Sequence, residues 1–308
     1  MKDRDCQPEP CAHWHEGTFL PHEIFAGLEP PYSNLQQART VILPVPYDST
    51  SEWRSGSRHG PKAIIDASQY LELYDLELNR ETYKVGISTL PRVEPLLSSP
   101  QDMIARVYEV VKGLVQKEKF VVVLGGEHSL SLGAVRAFKE AFPRLSVLQL
   151  DAHADLRDEY LGTKYGQACV MRRISELCPI SQVGVRSLSW EEKQFLTQKK
   201  LKPFYMPDLA SNIASIDQIV DSLGEDVYVT IDVDVLDPSI MPAVGTPEPD
   251  GMSWRQISDI LELVTLRKHV VGLDLMEFCP TEGPSSCAFL LAKLTYKLIG
   301  FAVPQERL

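Results

Sequence analysis

The chain reads as a three-layer α/β/α protein built on an eight-stranded, mostly parallel sheet. Two observations predict this. From residue 40 onward, short apolar β-rich runs alternate with amphipathic segments of helical period, and no linker-like or low-complexity stretch interrupts the alternation. A third agrees with them: acidic and histidine clusters fall at the C-terminal ends of the apolar runs, where open parallel sheets bind their ligands.

The predicted strands, in order, are Thr40–Pro44, Lys84–Ile87, Phe120–Leu124, Ser146–Leu150, Gln182–Val185, Pro203–Met206, Val227–Ile231 and Val270–Leu273. Between them the 3.6-residue spacing of apolar side chains predicts helices over Pro100–Glu118, Leu130–Ala141, Trp190–Lys199, Ile213–Leu223 and Ser253–Leu266. Start signals support two of these. Ser99 precedes Pro100, and Ser189 is followed by Glu192 at the third helical position, the pattern of a reciprocal N-cap. With 308 residues the chain could form one large domain or two small ones. The unbroken pattern favours a single domain over residues 36–308, preceded by an N-terminal arm of residues 1–35. Cys6, Cys11, His13 and His15 form a loose cluster in that arm, but the spacing is not that of a standard zinc finger.

Bulk properties exclude several classes. Composition is ordinary for a globular protein, at 44% hydrophobic and 24% charged residues. The net charge of -11 argues against general binding of nucleic acid or anionic membranes, and suits cationic small molecules. No apolar run approaches the roughly 20 residues of a membrane span. The first residues lack a signal peptide's apolar centre, so a cytoplasmic location is expected and the six cysteines are expected to be reduced thiols, mostly buried.

The chemistry concentrates at three strand ends. Asp151-Ala152-His153-Ala154-Asp155 follows the apolar run ending at Leu150; in an extended chain its two carboxylates and imidazole would share one face. Asp232 and Asp234 repeat the pattern after Ile231, and His128 lies just beyond Leu124 and the turn Gly125-Gly126. Such carboxylates crowded at buried strand ends repel one another unless a cation lies between them, and a purely structural role would be very costly. A ligand set of oxygen and imidazole without thiolate suits Mn, Mg or Zn, with Mn favoured where carboxylates dominate.

These motifs, in this order, resemble the ureohydrolase family of arginases and agmatinases. The resemblance rests on Gly125-Gly126-Glu127-His128-Ser129, on Asp151 to Asp155, on Ile231 to Pro238 and on Gly272 to Glu277. The loop Pro46-Tyr47-Asp48-Ser49-Thr50 with Gly56-Ser57-Arg58-His59-Gly60-Pro61 is similar to the agmatinase branch. The resemblance implies two Mn2+ ions. His128, Asp151, Asp155 and Asp232 would hold one; Asp151, His153, Asp232 and Asp234 would hold the other. Two divalent cations would then balance four carboxylates and lower the pKa of a water between them. It further implies that Glu277 grips a guanidinium and that Asp155 passes a proton to the departing amine. Glu127 is expected either to orient His128 or to shape the turn, and Asp237 to shape the turn after its strand.

In one respect the chain departs from the family pattern. Where relatives carry histidine, in a stretch like Lys-Tyr-Ser-His-Ala-Cys, this chain has Gln167 in Lys164-Tyr165-Gly166-Gln167-Ala168-Cys169. Glutamine hydrogen-bonds but does not titrate. Proton transfer through water, the approach of another histidine such as His59, or a different substrate would each accommodate the change. The segment after the first cluster lacks the arginase pattern, and Asp158 and Glu159 are candidates to receive a substrate's distal ammonium. The expected reaction is agmatine to putrescine and urea, in polyamine biosynthesis. Guanidinobutyrate, another guanidino acid, arginine and guanidine are alternative substrates. A mononuclear zinc deacetylase of similar fold and a non-catalytic metal-binding protein are the competing classes. Relatives assemble as trimers or hexamers, which implies a homo-oligomer.

Overall fold

Alternate residues of the central strands feed two separate cores, which is what makes the molecule three-layered. Val121 and Val123 join one core while Val122 and Leu124 join the other; Tyr228 and its neighbours Val227 and Val229 divide in the same way. The computed structural model describes residues 23–304 apart from 52, 212 and 213. The Cys6, Cys11, His13 and His15 cluster lies outside them.

In chain order the elements are β1 (Thr40–Val45), α1 (Gly60–Ser68), a hairpin of β2 (Tyr74–Asp75) and β3 (Arg80–Glu81), β4 (Ile87–Thr89), α2 (Pro100–Val115), β5 (Phe120–Gly125) and α3 (Ser131–Ala141). There follow β6 (Leu145–Leu150), α4 (Val170–Ser175), β7 (Ile180–Val185), α5 (Trp190–Lys199), β8 (Phe204–Tyr205), α6 (Met206–Ala210) and α7 (Ile216–Asp221). The chain closes with β9 (Asp226–Asp232), α8 (Trp254–Arg267), β10 (His269–Met276) and α9 (Ser286–Ala302). Eight strands form one sheet in the order β4-β1-β5-β10-β9-β6-β7-β8, and every pairing in it is parallel. Helices α2, α3, α4 and α5 cover one face, and α1, α7, α8 and α9 the other.

All eight predicted strands are present, with shifted ends. The second begins at Ile87 rather than Lys84, because Thr82–Val85 forms a 3-10 turn and Gly86, at φ +75°, packs against Ala38. Helix α5 matches its expectation, with Ser189 and Glu192 closing the reciprocal cap. Helix α7 is shorter than expected because Ser215 and Gln218 cap it at Ile216. Within the segment read as an arm, Phe25, Ala26 and Leu28 are buried in the core beside α1, and the Tyr32 carbonyl accepts from Ile87 N at the head of β4.

The site depends on one feature of the strand order. Strands β5, β10, β9 and β6 are adjacent at the middle of the sheet although the chain visits them far apart, so four strand ends converge there. Their neighbours stand about 4.8 Å apart, within ligand reach of one another.

Candidate metal centre

His128 follows β5, Asp232 ends β9, and Asp151 follows β6. Extended-strand geometry does not bring the acidic groups together. Strand β6 stops at Leu150; His153 still bridges Ser187 in the parallel sense, and local bonds then bend the chain: His153 N donates to Asp151 Oδ1 (2.6 Å), Ala152 N donates to Asp234 Oδ1 (3.0 Å), and Asp155 adopts φ +51°. Asp234 lies in a 3-10 turn, its N donating to Asp232 Oδ1 at 3.0 Å. Left-handed backbone at non-glycine residues is strained and tends to mark functional positions. Asp155 and Glu277, at φ +67°, both show it.

Two overlapping groups result. Donor atoms of His128, Asp151 and Asp232 lie within 4.8 Å of one another, as do those of Asp151, His153 and Asp234. Asp155 joins the first group, its Oδ2 being 3.1 Å from His128 Nδ1. That Nδ1 also lies 3.2 Å from Asp151 Oδ2 and 3.5 Å from Asp232 Oδ2, yet it is buried and aligned for a hydrogen bond with none of them. His153 Nδ1 is 2.8 Å from Asp234 Oδ2.

The opposite nitrogen of His128 explains this orientation. Nε2 stands 2.8 Å from Thr230 Oγ1, and the Thr230 hydroxyl donates to Asp274 Oδ1 at 2.6 Å. Thr230 therefore accepts from Nε2–H, which leaves a lone pair on Nδ1 directed at the carboxylates. Asp274 is fully buried and also accepts from the Tyr228 hydroxyl at 2.8 Å. Neither Thr230 nor Asp274 stands out in a sequence search for ligands, although a polar side chain inside an apolar strand is itself a signal.

Electrostatics point to a cation. Burial, then repulsion from Asp155 and Asp234, pushes Asp151 up to about 7; burial raises Asp155 to about 6 and holds Asp232 well above the ordinary carboxylate range. His153 is raised to about 11: burial opposes its charge, but Asp234 and the other carboxylates prevail. Three buried carboxylates, the nearly buried Asp155 and an imidazole nitrogen without a hydrogen bond among them are donors able to hold metal.

A stability prediction follows for the metal-free chain. Asp151 and Asp155 ionise near 4 when unfolded but near 7 and 6 when folded, so the folded state binds more protons and loses stability as pH rises through that window. His153 stabilises fully below about 6.5 and loses that contribution as pH climbs toward 11, which is the same direction. Thermal scans of chelator-treated protein should therefore show the melting temperature falling by at least about 5 °C between pH 5 and pH 9. A rise across that range contradicts the account.

Glu277 Oε1 accepts from His128 N at 2.6 Å, and Glu277 N donates to the Gly126 carbonyl at 2.7 Å. Gly126 must be glycine here, since a Cβ would lie 2.0 Å from the Tyr47 carbonyl oxygen. Glu127 does not orient the His128 ring. Its buried carboxylate instead accepts from Thr50 N (2.6 Å), Thr50 Oγ1 (2.7 Å) and the Ser129 hydroxyl, tying the 46–50 loop to the end of β5. Asp237 shapes a turn by accepting from Ser239 N and Gly251 N.

A cleft of about 230 Å³ opens onto the cluster, lined by His153, Asp155, Arg157, Gln167, Thr246 and Glu277 among others. Gln167 is placed there, its N donating to Thr50 Oγ1 at 3.1 Å. Asp158 and Glu159 are not brought to the cleft. Arg173 Nη2 donates to Asp158 at 2.5 Å, and Glu159 faces solvent. His59 is also exposed and lies outside it. The four described cysteines are buried free thiols. No described helix is long and apolar enough to cross a membrane.

The arginase-family sequence model matches residues 38–300, most of the chain. The chain belongs to the arginase family. Among its relatives, the N(1)-aminopropylagmatine ureohydrolase of Synechocystis is 37% identical over 278 residues, covering 88% of this chain and 91% of the relative. An agmatinase of Pyrococcus horikoshii is 35% identical over 278 residues, covering 89% and 96%. The crystal structure of the agmatine ureohydrolase of Thermoplasma volcanium superposes with a TM-score of 0.84 at 31% identity, covering 93% of this chain and 96% of the other. This arginase-family chain is thus an agmatinase-like ureohydrolase, a hydrolase with acidic and histidine clusters able to hold metal.

Proposed function

We propose that the chain is a binuclear manganese amidinohydrolase that converts agmatine and water to putrescine and urea. The observation that carries this reading is the buried His128 Nδ1, without a hydrogen bond, facing three carboxylates. His128, Asp151, Asp155 and Asp232 would hold one cation, and Asp151, His153, Asp232 and Asp234 the other. Oxygen and imidazole donors without thiolate favour Mn2+. When bound, the pair supplies a water of lowered pKa and Lewis acidity toward the guanidinium carbon.

The protein's own groups do the rest. Glu277, fixed through His128 N, presents a carboxylate whose charge and shape match two guanidinium N–H donors. Asp155 accepts the proton released by water on the oxygen not paired with His128 and returns it to the amine as the C–N bond breaks. Gln167 can hold the substrate by its amide but cannot carry a proton, which leaves the transfer to Asp155. A cytoplasmic homo-oligomer, trimer or hexamer, acting in polyamine biosynthesis belongs to the same reading and rests on the resemblance alone.

A second substrate is favoured by one specific observation: three relatives, at 36–37% identity, are named N(1)-aminopropylagmatine ureohydrolases. A urea-release screen of Mn-loaded protein against agmatine, N(1)-aminopropylagmatine, guanidinobutyrate, arginine and guanidine separates the cases. Agmatine is expected to give a kcat/KM at least about tenfold above the guanidino acids, an energy gap of about 1.4 kcal/mol. Faster turnover of the aminopropyl compound reassigns the substrate. Release of urea from none of the five overturns the reaction.

A further inference from the structure

We infer that Arg186 is a positioning residue that sets one of the two cation positions and the cleft wall beside it. Arg186 follows β7, where Gly184 takes φ +94° and the register with β8 shifts. Its guanidinium has five N–H groups, and all five donate to backbone carbonyls. Nε reaches Pro249 O at 2.9 Å; Nη1 reaches Gly184 O at 3.4 Å and Val235 O at 3.3 Å; Nη2 reaches Asp234 O at 2.8 Å and Glu248 O at 2.9 Å.

The backbone adds to this. Arg186 N and Ser187 N both donate to Ala152 O, at 2.8 and 3.0 Å, and Ala152 lies between Asp151 and His153. One residue thus joins the Asp151–His153 segment, the Asp234 turn and the loop carrying Thr246 and Glu248. That loop bears on the site twice. Thr246 lines the cleft, and Glu248 Oε1 lies 3.8 Å from His153 Nε2, the nitrogen opposite the one facing Asp234. At that distance no hydrogen bond joins them, but the loop places a negative charge on the imidazole's far side.

The fivefold bonding pattern is directional. The backbone bonds to Ala152 persist in any variant, but a lysine keeps the charge and offers three donors from a single point, so it cannot tie the Asp234 turn to the Glu248 loop as the guanidinium does. His128 and Asp155 receive no hydrogen bond from Arg186. Loss of Arg186 should loosen the Asp151, His153 and Asp234 position and spare the other. This inference rests on the two-cation reading above.

Metal-free protein titrated with Mn2+ against a chromophoric chelator tests it directly. Wild type is expected to take up two equivalents. Arg186→Met should weaken one of them at least about tenfold and leave the other within about twofold, with Arg186→Lys intermediate. KM for agmatine should rise in the same order, while the melting temperature of the metal-free protein stays near wild type. Wild-type uptake of both equivalents by Arg186→Met overturns the inference. So does an equal loss of both equivalents together with a lowered metal-free melting temperature, which would make Arg186 a residue of the fold. Fewer than two equivalents in wild type overturns the two-cation reading itself.

Discussion

Asp232→Asn should lower urea release by at least about a thousandfold while making the metal-free protein more stable near pH 8. The two effects have opposite signs because they report two states of one residue. Without cations, Asp232 is a buried carboxylate whose ionisation is opposed first by burial and then by Asp234 and Asp151. Asparagine keeps the oxygen that accepts from Asp234 N, so the 3-10 turn survives and the cost of burying an ionisable carboxyl beside Asp234 and Asp151 disappears. With cations, the same carboxylate is, with Asp151, one of two proposed for both positions, and a neutral amide would serve there poorly. Urea-release rates, bound-metal analysis and thermal scans of chelated protein together check the pair of outcomes. Activity within tenfold of wild type would remove Asp232 from the site. Lost activity with a destabilised metal-free fold would mean that the residue is structural.

How far the sequence alone reaches differs between the fold and the site. Strands were legible because parallel strands buried on both faces must be continuous apolar runs, and the eight runs are the eight strands. Helix α9 was not. It is buried on nearly every side, so its sequence, Ser-Cys-Ala-Phe-Leu-Leu-Ala and onward, carries no amphipathic period. Its buried lysine, Lys297, pairs with Asp75 and Glu77 in the distant β2–β3 hairpin. Within the site, the grouping of His128, Asp151, His153, Asp155, Asp232 and Asp234 could be read from motif order. The backbone that gathers them could not, since it turns through a left-handed Asp155 and a 3-10 turn at Asp234 instead of following the pleat. Asp158 and Glu159 show the converse. Closeness in sequence to the cluster suggested a place in the cleft, but Arg173 on α4 captures Asp158. Thr230 and Asp274 sit on neighbouring strands 44 positions apart, and only the pairing of β9 with β10 joins them.

Glu277→Gln is the sharper test of what the cleft receives. Glutamine retains the shape of the side chain and the oxygen that accepts from His128 N, so the turn after β5 and the cation positions should persist at wild-type occupancy. What disappears is a full negative charge in a buried position, where an opposing guanidinium would be worth far more than in water. A fall in kcat/KM of about 100- to 1000-fold is expected, with unchanged metal content and an unchanged metal-free melting temperature. Burial, with Asp232 and Glu127 nearby, holds the Glu277 carboxyl well above its usual range, and cationic partners favour its charged form. Cations and a guanidinium would therefore strengthen the charge that grips the substrate. This links Glu277 to the cluster in a way that a surface carboxylate could not be. Loss of metal from Glu277→Gln would place its action on the His128 turn; retention of metal with lost turnover would place it on the guanidinium.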